Sequence, residues 1–138
     1  AGLALGLDKE FEGDPVDWNT MIDTNIKGLL TMTRLIVPGM VKRNEGHVIN
    51  IGSVAGDAAY ACGNVYCATK AAVKALSDGL RIDVADTAVR VCCKYQDFTG
   101  ADIADVAFYA ASAPKHVQIA EVLILATHQA SGSVIHRD

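Results

Sequence analysis

Three short apolar runs, set between stretches of helical periodicity, most narrow what this chain can fold into. They are His47-Val-Ile-Asn-Ile51, Val89-Arg-Val-Cys-Cys93 and Glu121-Val-Leu-Ile-Leu-Ala126. The first is β-branched and bounded by Gly46 and Gly52, the pattern of a buried strand. Before it, Trp18, Met21, Ile22, Ile26, Leu29 and Leu30 recur at helical spacing. Asp14 suits a cap and Pro15 a first helical position. One helix, or two in succession, is expected from Pro15 to about Lys42, with Pro38 and Gly39 kinking or ending it. A second helix is expected from about Val65 to Val84, kept slim by Ala68, Ala71, Ala72 and Ala75. Thr99 and Asp102 predict a cap before a helix from Ala101 to Ser112. Apolar strands alternating with helices give an α/β fold with a parallel sheet.

At 138 residues the chain is one domain at most, and 51% hydrophobic with 20% charged residues is ordinary globular composition. A net charge of -4 with no basic block argues against nucleic acid as a partner. No apolar run nears the ~18 residues of a membrane span. Ala1-Gly-Leu-Ala-Leu-Gly lacks a basic flank and a long apolar run, so it does not read as a signal peptide. Cys62, Cys67, Cys92 and Cys93 form no Cys-x-x-Cys pair and read as small buried thiols in a reducing compartment, the cytoplasm. No His, Cys, Asp or Glu cluster has metal spacing.

The chemistry gathers in Ser53-Val-Ala-Gly-Asp-Ala-Ala-Tyr60-Ala-Cys-Gly-Asn-Val-Tyr66-Cys-Ala-Thr-Lys70. Tyr66 and Lys70 stand four apart and share a helix face. A free Tyr titrates near ~10, and bringing it to ~7 takes roughly 4 kcal/mol. One unit charge at ~4 Å supplies roughly that at an effective dielectric of ~20. Ser53 falls just past the carboxyl end of a strand, where open α/β sheets bind ligands. A hydroxyl there and a phenol on the next helix can converge on one substrate oxygen. Tyr60 is a rival phenol, but Asn64 stands four residues on, so no cation supports it; it can line a substrate pocket. Gly52-Ser53-Val-Ala-Gly56 misplaces the glycines of a nucleophile elbow, which disfavours a serine hydrolase.

This pattern resembles the short-chain dehydrogenase/reductase family, whose Ser precedes Tyr-x-x-x-Lys by thirteen residues, as Ser53 precedes Tyr66. Ala1-Gly2 resembles the end of the family's Asn-Asn-Ala-Gly segment beside the cofactor. Asn25, in Asp23-Thr-Asn25-Ile-Lys-Gly28, matches the Asn of its catalytic tetrad. Pro38-Gly-Met-Val-Lys-Arg-Asn44, Gly63-Asn-Val-Tyr66 and the carboxyl-terminal sequence resemble the NADP-dependent serine and 3-hydroxy acid dehydrogenase branch. The resemblance implies part of a Rossmann-like doubly wound sheet. It implies hydride transfer between NADP, with NAD possible, and a small β-hydroxy acid of the serine, allo-threonine or 3-hydroxyisobutyrate type. Tyr66 is then the acid/base, Ser53 holds the reacting oxygen and Lys70 holds the nicotinamide ribose. Gly2 lies by the cofactor, and Asn25 holds a water linking Lys70 to solvent. A homotetramer or homodimer is implied, with the Pro15–Lys42 and Val65–Val84 helices as a dimer core.

Two departures qualify this reading. No glycine-rich phosphate loop follows a first strand. The strand Val89–Cys93 also runs straight into Lys94-Tyr-Gln-Asp-Phe98, where the family has Pro-Gly and a long loop. Residues 1–138 are therefore expected to be part of one dinucleotide-binding domain, with pieces joined near 93–94. The alternative is a truncated, inactive chain that keeps only the oligomerisation helices.

Overall fold

The computed structural model describes residues 2–94 and 99–124. Helix α1 spans Pro15–Ile22 and starts as its sequence predicts: the Asp14 side chain accepts from Val16 N and Pro15 occupies the first turn. A π-helical turn, Asp23–Lys27, follows, in which Gly28 N–H donates to Asp23 O. Helix α2 then covers Gly28–Lys42. Pro38 lies inside α2 and does not end it. The residue is exposed, so the carbonyl that loses its helical donor faces water and the helix continues at modest cost.

Strand β1 is Gly46–Ile51 and a 3-10 turn, Val54–Gly56, closes the loop behind it. Helix α3 covers Asn64–Asp83, strand β2 Val89–Lys94, helix α4 Gly100–Ser112 and strand β3 Glu121–Val122. The Thr99 and Asp102 capping box forms at the start of α4. The last strand stops at Val122, so Leu123 and Ile124, expected to continue it, lie beyond it; Leu125 and Ala126 lie outside the described residues, as do residues 95–98 after the expected join.

The sheet has the order β1-β2-β3 and both pairings are parallel, with Val48 opposite Val91 and Asn50 opposite Cys93. Parallel neighbours need helical crossovers, which α3 and α4 supply. Val91, Cys92 and Cys93 of the central strand are almost fully buried. Val37, Val84, Val89 and Val91 form the core, with Met40, Val48 and Leu80 packed on it. The Arg81 guanidinium pins α3 to the sheet by donating to the Val91 and Ala120 carbonyls at 3.1 and 2.9 Å. Among the described residues no helix is long and apolar enough to cross a membrane.

Candidate active site

The site forms where β1 ends. Ser53, two residues past the strand, is 6% exposed and caps the 3-10 turn: its Oγ accepts from Ala55 N at 3.2 Å. A hydroxyl that accepts this bond keeps its own hydrogen for another oxygen. Tyr66 lies in the first turns of α3, half-buried, and lines a cavity with Leu5, Trp18, Met21 and Tyr60. Lys70, one turn on, is 6% exposed, and its Nζ lies 5.7 Å from the centroid of the Tyr66 ring. Lys70 Nζ donates to the carbonyl of Ile51 at 3.2 Å. Burial pushes the lysine below its ordinary value, while Cys93 on β2 acts weakly the other way. Among the described residues no carboxylate pairs with this buried group, and a charge so placed is costly and points to function.

Asn25 sits in the π-turn, 4% exposed. Its Oδ1 accepts from Leu3 N at 2.9 Å, and its Nδ2 donates to Leu3 O at 2.8 Å and to Thr69 Oγ1 at 3.0 Å. The amide thus holds the entering segment by both backbone groups of Leu3. Gly2 is brought against the site by this clamp: a Cβ there would lie 3.2 Å from Lys70 Nζ and 3.4 Å from Asn25 Oδ1. Tyr66, Lys70, Asn25 and Gly2 are therefore one contiguous group. Ser53 joins it through the strand end, because Ile51, two residues before it, carries the carbonyl that accepts the Lys70 hydrogen bond.

Four contributors were not singled out in the sequence. Thr69 and the Ile51 carbonyl each complete a hydrogen bond of the site. Cys93 interacts electrostatically with Lys70, and burial holds its thiol above the usual value. Trp18 walls the cavity beside Tyr66. Only Thr69 carried a signal: a polar β-branched residue, three after Tyr66 and four before the apolar Val73 on the same helix face. Tyr60 lines the cavity as expected and packs on Gly63, where a Cβ would overlap its ring. Cys67, Cys92 and Cys93 are buried thiols, but Cys62 is half-exposed at the cavity wall, since it occupies the turn before α3 with a φ of 62°. Among the described residues no group of His, Cys, Asp or Glu is arranged to hold a metal ion.

Comparison with known proteins identifies the family. Residues 1–109 match the short chain dehydrogenase family. The chain is 62% identical over 91 residues to the NADP-dependent 3-hydroxy acid dehydrogenase YdfG of Salmonella typhi, covering 66% of this chain and 37% of that protein. It is 40% identical over 157 aligned positions to a probable NADP-dependent dehydrogenase of Haemophilus influenzae, covering 94% of this chain and 62% of that one. The crystal structure of serine dehydrogenase from Escherichia coli superimposes with a TM-score of 0.91 at 47% identity, covering 94% of this chain and 62% of that structure. The chain thus spans between 37% and 62% of the length of these relatives. The fold, the site at the end of β1 and these matches together place the chain in the short-chain dehydrogenase/reductase family.

Proposed function

We propose that the complete protein transfers a hydride between NADP and the hydroxyl-bearing carbon of a small β-hydroxy acid, of the serine, allo-threonine or 3-hydroxyisobutyrate type. The observation that carries this reading is the buried ammonium of Lys70, held 5.7 Å from the Tyr66 ring centroid at the carboxyl end of β1. The residues present suit the nicotinamide end of the cofactor. Gly2 offers bare backbone beside Lys70, and the ammonium keeps hydrogens beyond the one given to Ile51 for ribose hydroxyls. Bound NADP supplies the hydride acceptor or donor. The preference for NADP and for a hydroxy acid follows the names of the relatives.

In oxidation Tyr66 takes the proton of the substrate hydroxyl, and in reduction it returns one to the carbonyl. Ser53 donates to the same oxygen and stabilises the charge that develops there. Lys70, with Gly2, receives the nicotinamide ribose. Asn25 fixes the backbone against which that end of the cofactor lies. The four cysteines form no disulfide, which suits the cytoplasm. Changing Tyr66→Phe in the complete protein should lower turnover about 10²–10⁴-fold with NADPH binding kept. Turnover within a few-fold of the parent would sink this role for Tyr66.

The relatives also carry residues with no counterpart here: the Haemophilus alignment runs over 157 positions although the chain has 138 residues. We read these extra positions as a loop over the site, missing where pieces join near 93–94. An intact mass of 14.5 kDa would remove this idea.

A second reading, an inactive remnant that only oligomerises, draws on the surface of α2. Met32, Leu35 and Ile36 are exposed there, Leu35 at 71%. The same surface suits a homodimer or homotetramer of the complete enzyme. NADPH binding by these 138 residues would exclude the remnant.

A further inference from the structure

We infer that Thr69 is a positioning residue of this site: its hydroxyl ties Asn25 to the helix that carries Tyr66 and Lys70, and so sets how closely the Gly2–Leu3 backbone lies against the ammonium. The inference rests on the acid/base reading of Tyr66 and names a residue that reading does not use.

Thr69 is 1% exposed in the middle of α3. A β-branched polar residue is a poor choice for a buried helix position unless its hydroxyl is used. Donation to the Tyr66 carbonyl, at 2.8 Å, places the hydroxyl hydrogen. That local bond is common in helices and by itself implies nothing further. The acceptor side is different, because it takes the Asn25 Nδ2 hydrogen at 3.0 Å, forty-four residues away in sequence. Asn25 spends its remaining donor and its oxygen on Leu3.

The contacts close a ring. Helix α3 holds Asn25 through Thr69, Asn25 holds Leu3, and Leu3 sets Gly2, whose Cβ position lies 3.2 Å from the Nζ of Lys70 on the same helix. One hydroxyl thereby sets the gap between the helix bearing Tyr66 and the backbone against which the nicotinamide end of the cofactor would lie. A misplacement there of about 1 Å is enough to lower turnover about 10²-fold.

Hydroxyl and shape can be separated by substitution. Valine keeps the shape of threonine and loses both bonds; serine keeps both bonds and loses a methyl group. In the complete enzyme we expect Thr69→Ser to retain kcat within about threefold and Thr69→Val to lose about tenfold or more, each per mole of NADPH-binding protein. A packing role predicts the opposite order, since only serine leaves a void. Thr69→Val at or above Thr69→Ser overturns the inference. If Thr69→Val does not yield folded protein, Thr69→Cys, whose thiol is a weak acceptor, takes its place under the same criterion. Tyr66→Phe is measured beside them. A dead Tyr66→Phe with valine equal to serine overturns the role of Thr69 alone; an active Tyr66→Phe overturns the acid/base reading and the purpose given to Thr69 with it.

Discussion

The Lys70 ammonium donates to the Ile51 carbonyl at 3.2 Å, which ties the helix bearing Tyr66 to the end of the strand that leads into Ser53. A group in that position serves two ends that conflict. Its charge is wanted beside the phenol, and its burial makes that charge costly.

Replacing Lys70 with Met should therefore abolish turnover and raise the unfolding midpoint of the complete protein. Burial lowers the pKa of Lys70 in the folded state, so below that lowered value the native state bears the full cost of charging it. The stability gap in favour of Lys70→Met is full below that lowered value. It shrinks as pH rises from the lowered folded value toward the unfolded value and vanishes above that value. Denaturant melts at pH 7 and pH 10.5 check this; a gap that widens with pH contradicts it.

Asn25→Ala removes three hydrogen bonds and strands both backbone groups of Leu3. A loss of about 3 kcal/mol is expected, taking each bond at about 1 kcal/mol. Asn25→Asp should be no better, since a carboxylate cannot donate to Leu3 O or to Thr69. Chemical denaturation of the three proteins reads the difference.

Much of this was legible in the sequence, for reasons that differ by residue. The caps at Asp14 and Thr99 are local and declare themselves in a few neighbouring residues. Ser53, Tyr66 and Lys70 are legible by spacing, because strand end and helix phase fix where they fall. The bond between Asn25 and Thr69 joins residues forty-four apart, and no periodicity encodes it. Continuation of α2 through Pro38 depends on which side of the helix meets water, which only packing decides.

Thiol reactivity should follow burial. Cys62 is half-exposed at the cavity wall, while Cys67, Cys92 and Cys93 are buried and Cys93 is held neutral by its surroundings. Iodoacetamide should modify Cys62 first, and mass mapping identifies the site. Labelling of Cys93 ahead of Cys62 would contradict the packing of β2.

Gly63→Ala places a methyl group in the ring of Tyr60. The ring has to leave the cavity wall it shares with Tyr66, so KM for the hydroxy acid should rise about tenfold with NADPH affinity unchanged. Steady-state kinetics together with nicotinamide fluorescence separate the two.

The π-turn makes the stretch from Asp23 to Lys27 sensitive to length in a way its composition does not show. A gene that lost one codon there could restore an unbroken α-helix. Each helical residue turns the chain by about 100°, so the shortened helix could keep Asn25 on Leu3 or Val37 in the core, but not both. Substitutions in this stretch should be tolerated far more often than single-residue deletions, and any homologue that lacks the extra residue would need another way to hold the backbone at Gly2.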